Sequence, residues 1–398
     1  MNVLIINAGS SSIKYQLIKM PLEQVVCTGI VERIGSKEAK LKYKTATTDS
    51  DETLEIYDHK TGFQKIAAYL LDGKIGVVNN VDEIEIIGHR VVHGGNSFSD
   101  TMLVTQEVKD KIKELSILAP LHNPHNLAGI VLAEQVFPNA KQVATFDTAF
   151  HQTIPVIAKK YAIPSNFYNK HNIQVYGFHG TSHKYVSEKA IGYLKDKGSK
   201  IISIHLGNGC SMTAVKNGKS IDHSLGFTPS NGLIMGSRSG DIDHSLVFHL
   251  VNTLGYKLEE VNTLLLKKSG MLGLTGFSDL RDIQAEAEKG NPDCILALEM
   301  NAYRIKKYIG AYTAALNGLD AIVFTAGIGE NSVLLRKMVC TNMDYLGITL
   351  DDHRNMVKST SIQEINSKTS KVKVLVIPTN EELEIARQSF TLTKEKFV

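Results

Sequence analysis

Asn7-Ala8-Gly9-Ser10-Ser11-Ser12-Ile13-Lys14 gathers the groups that hold a phosphate. Small residues let backbone pass close to an anion, and the hydroxyls and lysine donate to its oxygens. The apolar run Val3 to Ile6 precedes this stretch and a strand-like run, Tyr15 to Ile18, follows it. Strand, glycine turn, strand differs from the strand–turn–helix of a P-loop, and a serine-rich hairpin turn is the plain alternative. Gly218-Lys219-Ser220 only imitates a P-loop: Thr213 stands where its first glycine belongs, and Asn217-Gly218 reads as a hairpin turn.

Two arginines lie among glycines, Arg90 within Gly88 to Gly95 and Arg238 within Gly236 to Asp241. A planar guanidinium there can hold a carboxylate on two edges or span the oxygens of a moving phosphoryl group. Each also suits a surface arginine bridging loops. Asp147 ends the strand-like Gln142 to Phe146, where open α/β sheets place ligands, and equally suits a helix cap. His179, in Gly177-Phe178-His179-Gly180-Thr181-Ser182-His183, is by itself at home as a core or loop histidine. Glu381 opens the last helix, where the helix dipole favours an acid.

Positioning these residues takes a repeated unit. Strands are expected at residues 3–7, 12–18, 25–34, 41–45 and 54–58, then a helix from Phe63 to Leu71 and another over 125–137. The grammar restarts with Ile201 to Ile204, the turn Gly207-Asn208-Gly209 and the strand Met212 to Val215. A long helix over Pro292 to Leu316, a strand Ala321 to Phe324 and a turn Gly327 to Asn331 follow, with a last helix from about Glu382 to Thr391. At 398 residues, two domains are expected. Composition is that of an ordinary globule, 43% apolar and 21% charged. A net charge of +3 with no basic block gives nucleic-acid binding no electrostatic support. Cys27, Cys210, Cys294 and Cys340 are scattered, and no apolar run approaches the ~18 residues of a membrane span. No leader pattern precedes the first strand, so a cytoplasmic location is expected.

Nine blocks together resemble the acetate kinase family, among the acetate/propionate/butyrate kinases of the actin-like ATPase superfamily. They are Asn7 to Tyr15, Gly88 to Gly95, Ala119 to Pro124, Thr145 to Gln152, Tyr176 to His183, His205 to Gly209, Gly236 to Asp241, Gly327 to Asn331 and Pro378 to Glu382. Three departures stand out: Ser230-Asn231 where the family usually has Leu-Glu, His244 where proline is usual, and a Gly276 to Arg281 stretch one residue short.

The resemblance implies an α/β fold of duplicated actin-like, ribonuclease H-like domains with a central cleft that closes over its substrates. The boundaries expected are 1–149 plus 383–398 for the first domain and 150–382 for the second. It implies reversible transfer between ATP and acetate, giving acetyl phosphate and ADP by direct in-line attack. A carboxylic acid of pKa roughly 4 is already ionised at neutral pH and needs no general base. Arg90 would hold the substrate carboxylate, Arg238 stabilise the transition state, His179 donate to phosphoryl oxygens, and Asp147 position charge. Asn7 and Glu381 would hold Mg²⁺, for which Mn²⁺ can substitute. Nucleotide would meet Ser12, Lys14, His205, Leu206, Gly207, Asn208, Gly209, Asp279, Leu280, Arg281, Gly327, Ile328, Gly329, Glu330 and Asn331. Val92, Leu121, Phe178 and Pro229 would line the acyl pocket, though a core role is as natural for these apolar positions. A homodimer through the second domain is implied, with no nucleic acid or membrane partner. Propionate kinase is the alternative within the family; an actin-like or chaperone-like nucleotide switch is the alternative outside it.

Overall fold

In the computed structural model, which describes residues 1–395, an eight-stranded sheet carries the first phosphate-type loop. Its strands are β1 (Asn2–Ala8), β2 (Ser12–Lys19), β3 (Gln24–Glu32), β4 (Ser36–Thr45), β5 (Asp49–Ile56), β6 (Ile84–Val91), β7 (Met102–Leu103) and β8 (Lys141–Phe146), in the order β5-β4-β3-β2-β1-β6-β8-β7. The chain divides into two units, Met1–Phe150 with the chain from Asn380 onward, and His151–Thr379. The second unit holds β9 (Lys200–Leu206), β10 (Cys210–Lys216), β11 (Lys219–His223), β12 (Ala321–Thr325), β13 (Gln363–Glu364) and β14 (Lys373–Val376), ordered β11-β10-β9-β12-β14-β13.

The two sheets share a plan. β1 pairs antiparallel with β2 and parallel with β6, and β6 runs parallel to β8. Likewise β9 pairs antiparallel with β10 and parallel with β12, and β12 runs parallel to β14. In both, the central strands are near-continuous apolar runs, as strands covered on two faces must be. The Asn217-Gly218 turn is left-handed at both residues and joins Lys216 to its partner Lys219, so this segment is a hairpin and not a phosphate loop.

Two expectations need correction. Residues Ala326–Asn331 form a short helix directly after β12 where a turn was expected. The last helix is Glu381–Glu395, and the division falls at Asn380 rather than at residue 383. A single helix moves as one piece, and this one packs on β1, β6 and β8 of the first unit.

Packing in the first unit brings its strand ends into register with the loop. On the Asn123–Val136 helix, buried Asn126 donates from Nδ2 to the Ala8 carbonyl at 2.8 Å and accepts from the Val92 N–H at 3.1 Å. One amide thereby ties the end of β1 to the end of β6. A Cβ at Gly129 would lie 2.7 Å from that of Ala8, so the helix sits directly on the loop's first turn. On the other face, a Cβ at Gly88 of β6 would meet Ile385 Cγ2 and Ile5 Cδ1 at 2.8 Å and Ser389 Oγ at 2.9 Å. Only glycine lets the C-terminal helix lie this close. Gly88→Ala is expected to cost about 1–3 kcal/mol by overpacking, read as a fall in the midpoint of thermal unfolding.

Candidate active site

In the first unit Asn7, one residue before the end of β1, lies opposite Lys14 of β2, and the Gly9 N–H donates to the Ser12 carbonyl at 2.8 Å to close the turn between the strands. His59 Nε2 lies 2.7 Å from the Gly9 carbonyl and stacks on His125. Ser10 and Ser11 are exposed at the tip of this turn.

Arg90 and Asp147 reach each other because β6 and β8 run parallel, Arg90 facing Thr145, with the Asp147 N–H bonded to the Val91 carbonyl at 2.9 Å. Arg90 donates from Nε to Asp147 Oδ1 at 3.0 Å and from Nη2 to Oδ2 at 2.6 Å, a two-edged grip. Glu381 Oε2 stands 3.8 Å from Arg90 Nε. Burial pulls the Arg90 pKa down, but Asp147 and Glu381 outweigh it and raise it further above the ordinary arginine value. The Glu381 carboxyl is pushed up to about 7, chiefly by burial, although Arg90 and more weakly Lys14 draw it down and Asp147 and Glu382 raise it. A carboxylate oxygen and an amide oxygen are the hard donors a divalent cation takes, so Glu381 and Asn7 would suit Mg²⁺, with water and phosphate oxygens to complete its shell.

The second unit gathers three separate sequence segments around a cavity of about 590 Å³. Gly207 and Asn208 come from the turn after β9, Asp279, Leu280 and Arg281 from the start of the Leu280–Glu288 helix, and Gly327, Ile328 and Asn331 from the short helix after β12. Arg281 is pinned to Asp279 at 2.6 Å. Ser278, Gln284 and Ser332 complete the wall and were not foreseen; Gln284 donates to Ser332 Oγ at 2.6 Å. Of the other residues expected to meet nucleotide, Leu206 and Gly329 are buried behind the wall, while Glu330 accepts the Thr379 N–H at 3.0 Å.

Arg238 and His179 meet at Gly209. A Cβ there would lie 3.4 Å from Cε1 and Nε2 of His179 and 3.9 Å from Nη1 of Arg238, so the glycine keeps a small space open between a ring edge and a guanidinium. Arg238 Nη1 also donates to the Pro229 carbonyl at 2.8 Å. His179 has left-handed backbone (φ 54°) at the start of the Gly180–Leu194 helix, and His205 stacks on its ring at 4.4 Å. The Ser230-Asn231 departure serves this loop: Asn231 Oδ1 accepts the Gly226 N–H at 2.7 Å and Ser230 pairs with Thr228. Asp241 accepts from the Gly232 N–H and from Tyr308 Oη on the Pro292–Leu316 helix, anchoring the loop's far end.

Of the residues expected around an acyl group, Val92 and Phe178 are buried, Pro229 is half-buried and Leu121 is 61% exposed. Sequence reasoning missed Asn123 and Asn126, whose signal was two amides one helical turn apart on a buried face. It also missed Ser211 and His183, which touch His179's surroundings from a strand and a helix.

Comparison with known proteins places this geometry. The model of the Acetokinase family matches residues 2–387. The chain belongs to the acetokinase family. It is therefore an enzyme of phosphoryl transfer, a kinase. It is 62% identical to the acetate kinase of Flavobacterium johnsoniae over 392 residues, 98% of this chain and 99% of that one. It is 51% identical to the acetate kinase of Thermotoga maritima over 98% of both chains. Among solved structures, Porphyromonas gingivalis acetate kinase superposes with a TM-score of 0.94 at 43% identity, covering 98% of this chain and 99% of that one. A Francisella tularensis propionate kinase gives 0.92, also at 43% identity and the same coverage. The acetokinase fold here is the duplicated actin-like one.

His151, His183 and His223 of the second unit are buried as neutral rings. His151 is held down to about 3, and His183 and His223 well below the usual imidazole range, in each case chiefly by burial. A folded pKa below the unfolded value means the unfolded chain binds more protons in the window between them. Stability is thus full above pH ~6.5 and lost as pH falls. Thermal unfolding between pH 7 and 5 is expected to show a steep loss of stability, and His151→Gln to reduce that loss by about 2 kcal/mol, whatever its effect at neutral pH.

Proposed function

We propose that the chain is an acetate kinase, transferring the γ-phosphoryl group of ATP reversibly to acetate to give acetyl phosphate and ADP. The observation that carries this reading is a pair of arginines held by buried polar contacts, Arg90 on Asp147 and Arg238 beside Gly209 and His179, with 62% identity to an acetate kinase along the chain.

Arg90 orients the acetate carboxylate, which attacks phosphorus directly as the anion. Asp147 has both oxygens on Arg90, so its role is to orient that guanidinium and not to carry a proton. Arg238 and the His179 N–H neutralise charge on the equatorial oxygens as the bond to ADP lengthens. Gly207, Asn208, Asp279 to Arg281 and Gly327 to Asn331 hold the nucleotide, and Ser12 and Lys14 reach its phosphates. Asn7 and Glu381 would hold Mg²⁺, which would neutralise phosphate charge there. Exclusion of water from the site keeps the phosphoryl group from being hydrolysed. The enzyme works in the cytoplasm as a homodimer through the second unit, where Leu246, Phe248, Leu254 and Leu258 present exposed apolar side chains.

A propionate kinase is the second reading, supported by the equal identity to the Francisella tularensis enzyme. One added methylene changes binding by only about 1–3 kcal/mol. With MgATP and acetate, propionate or butyrate, acyl phosphate trapped as hydroxamate is expected to be highest for acetate. Arg90→Ala and Arg238→Ala should each lose roughly 10²–10³-fold in rate. A preference for propionate would select the second reading, and ATP hydrolysis without hydroxamate would replace both with a nucleotide switch.

A further inference from the structure

Five histidines, His151, His179, His183, His205 and His223, crowd the second unit with neighbouring ring centroids 4.1 to 5.9 Å apart. Their partners are almost all hydroxyls and backbone groups, and the direction of each bond can be deduced from the need to satisfy buried protons.

Ser203, on β9, is fully buried, and among the described residues its hydroxyl has one partner, His183 Nδ1 at 2.9 Å. If His183 donated from Nδ1, the Ser203 proton would be left in the core without an acceptor, the costlier arrangement. Ser203 therefore donates to Nδ1, and a neutral His183 carries its proton on Nε2. That N–H points to Ser211 Oγ at 2.7 Å. The Ser211 proton, buried in turn, then goes to the hydroxyl's other partner, His179 Nδ1 at 2.8 Å. A neutral His179 receiving a proton at Nδ1 carries its own on Nε2, the atom facing the space at Gly209 that Arg238 Nη1 also borders.

Two more histidines hold the backbone that presents this ring. The Phe178 carbonyl can only accept, so His151 donates to it from Nε2 at 2.9 Å, leaving its Nδ1 to accept from Ser220 Oγ at 2.9 Å. The Phe178 N–H donates to His223 Nε2 at 3.1 Å, and His223 passes its Nδ1 proton to Thr213 Oγ1 at 2.8 Å. Both backbone polar groups of the residue before His179 are thus engaged, where the chain enters its left-handed turn.

We propose that Ser203, His183 and Ser211 are positioning residues for phosphoryl transfer, a one-way hydrogen-bond relay that keeps His179 in the Nε2–H tautomer and its donor at the Gly209 space that Arg238 borders. The consequence for rate rests on the role proposed above for His179; the tautomer does not.

The test is ¹⁵N NMR of the full-length protein labelled at the histidine rings, with the His179 signals assigned by their loss in His179→Asn. Wild type is expected to show a pyrrole-type Nε2 and an acceptor-type Nδ1 at His179. Ser203→Ala, which removes a hydroxyl that does not touch His179, should mix the two forms. Ser211→Ala should do the same and lower kcat about 10-fold, short of the 10²–10³ for deleting a donor outright, with KM for ATP and acetate changed less than twofold. Because the hydroxyls act in series, the double variant should be no slower than Ser211→Ala alone. A wild-type His179 protonated on Nδ1 overturns the relay, as do variants that leave both tautomer and kcat unchanged or whose losses add. Should a variant fail to fold, the wild-type spectrum still decides. A wild type with the expected tautomer but no acyl phosphate would refute the proposed function and leave the relay standing.

Discussion

The grip of Asp147 on Arg90 is the interaction on which the first unit's site turns. A guanidinium at a strand end has long, loose rotamers, and a second buried charge is the strongest device for fixing one. The grip needs both oxygens of the carboxylate at the right depth, which β6 and β8 supply by running parallel with Arg90 opposite Thr145. The same demand explains Asn126, whose amide fastens β6 to the phosphate-type turn, and Gly88, whose missing side chain admits the helix bearing Glu381. An ion pair of this kind is costly to bury and is better understood as a positioning device than as a source of stability.

In the second unit the positioning is done without charge. The buried rings of His151, His183 and His223 are neutral, so the protein gains fixed N–H and N: directions while avoiding the desolvation of cations there. Every such ring must find partners of the right polarity, and strands β9, β10 and β11 provide them as Ser203, Ser211, Thr213 and Ser220. Hydroxyls are suited to this because one atom can accept from one neighbour and donate to the next. The cost is sensitivity to acid, since each ring that charges must first be exposed.

Much was legible from local pattern. The hairpin around Gly9, the long Pro292–Leu316 helix with its Asn291 cap, and the rejection of Gly218-Lys219-Ser220 all follow from periodicity and turn chemistry within a few residues. The short helix at Ala326–Asn331 was read as a turn because two glycines in six residues argue against a helix, and packing against β9 and β12 overrode that preference. Helices such as Ser245–Asn252 and Leu258–Lys267 went unread, their apolar faces being partly exposed and so lacking a clean buried stripe.

The sequence by itself determined which residue types are available for chemistry, the small polar turns that carry them and the family they belong to, because these are properties of short contiguous segments. Only the tertiary structure decided that Asp147 takes both edges of Arg90, that Gly209 separates His179 from Arg238, and that Ser203 has a bearing on a ring it never touches. Such pairings join residues far apart in the chain, and their geometry depends on strand register and helix depth set by the whole core. No local spacing encodes that sum.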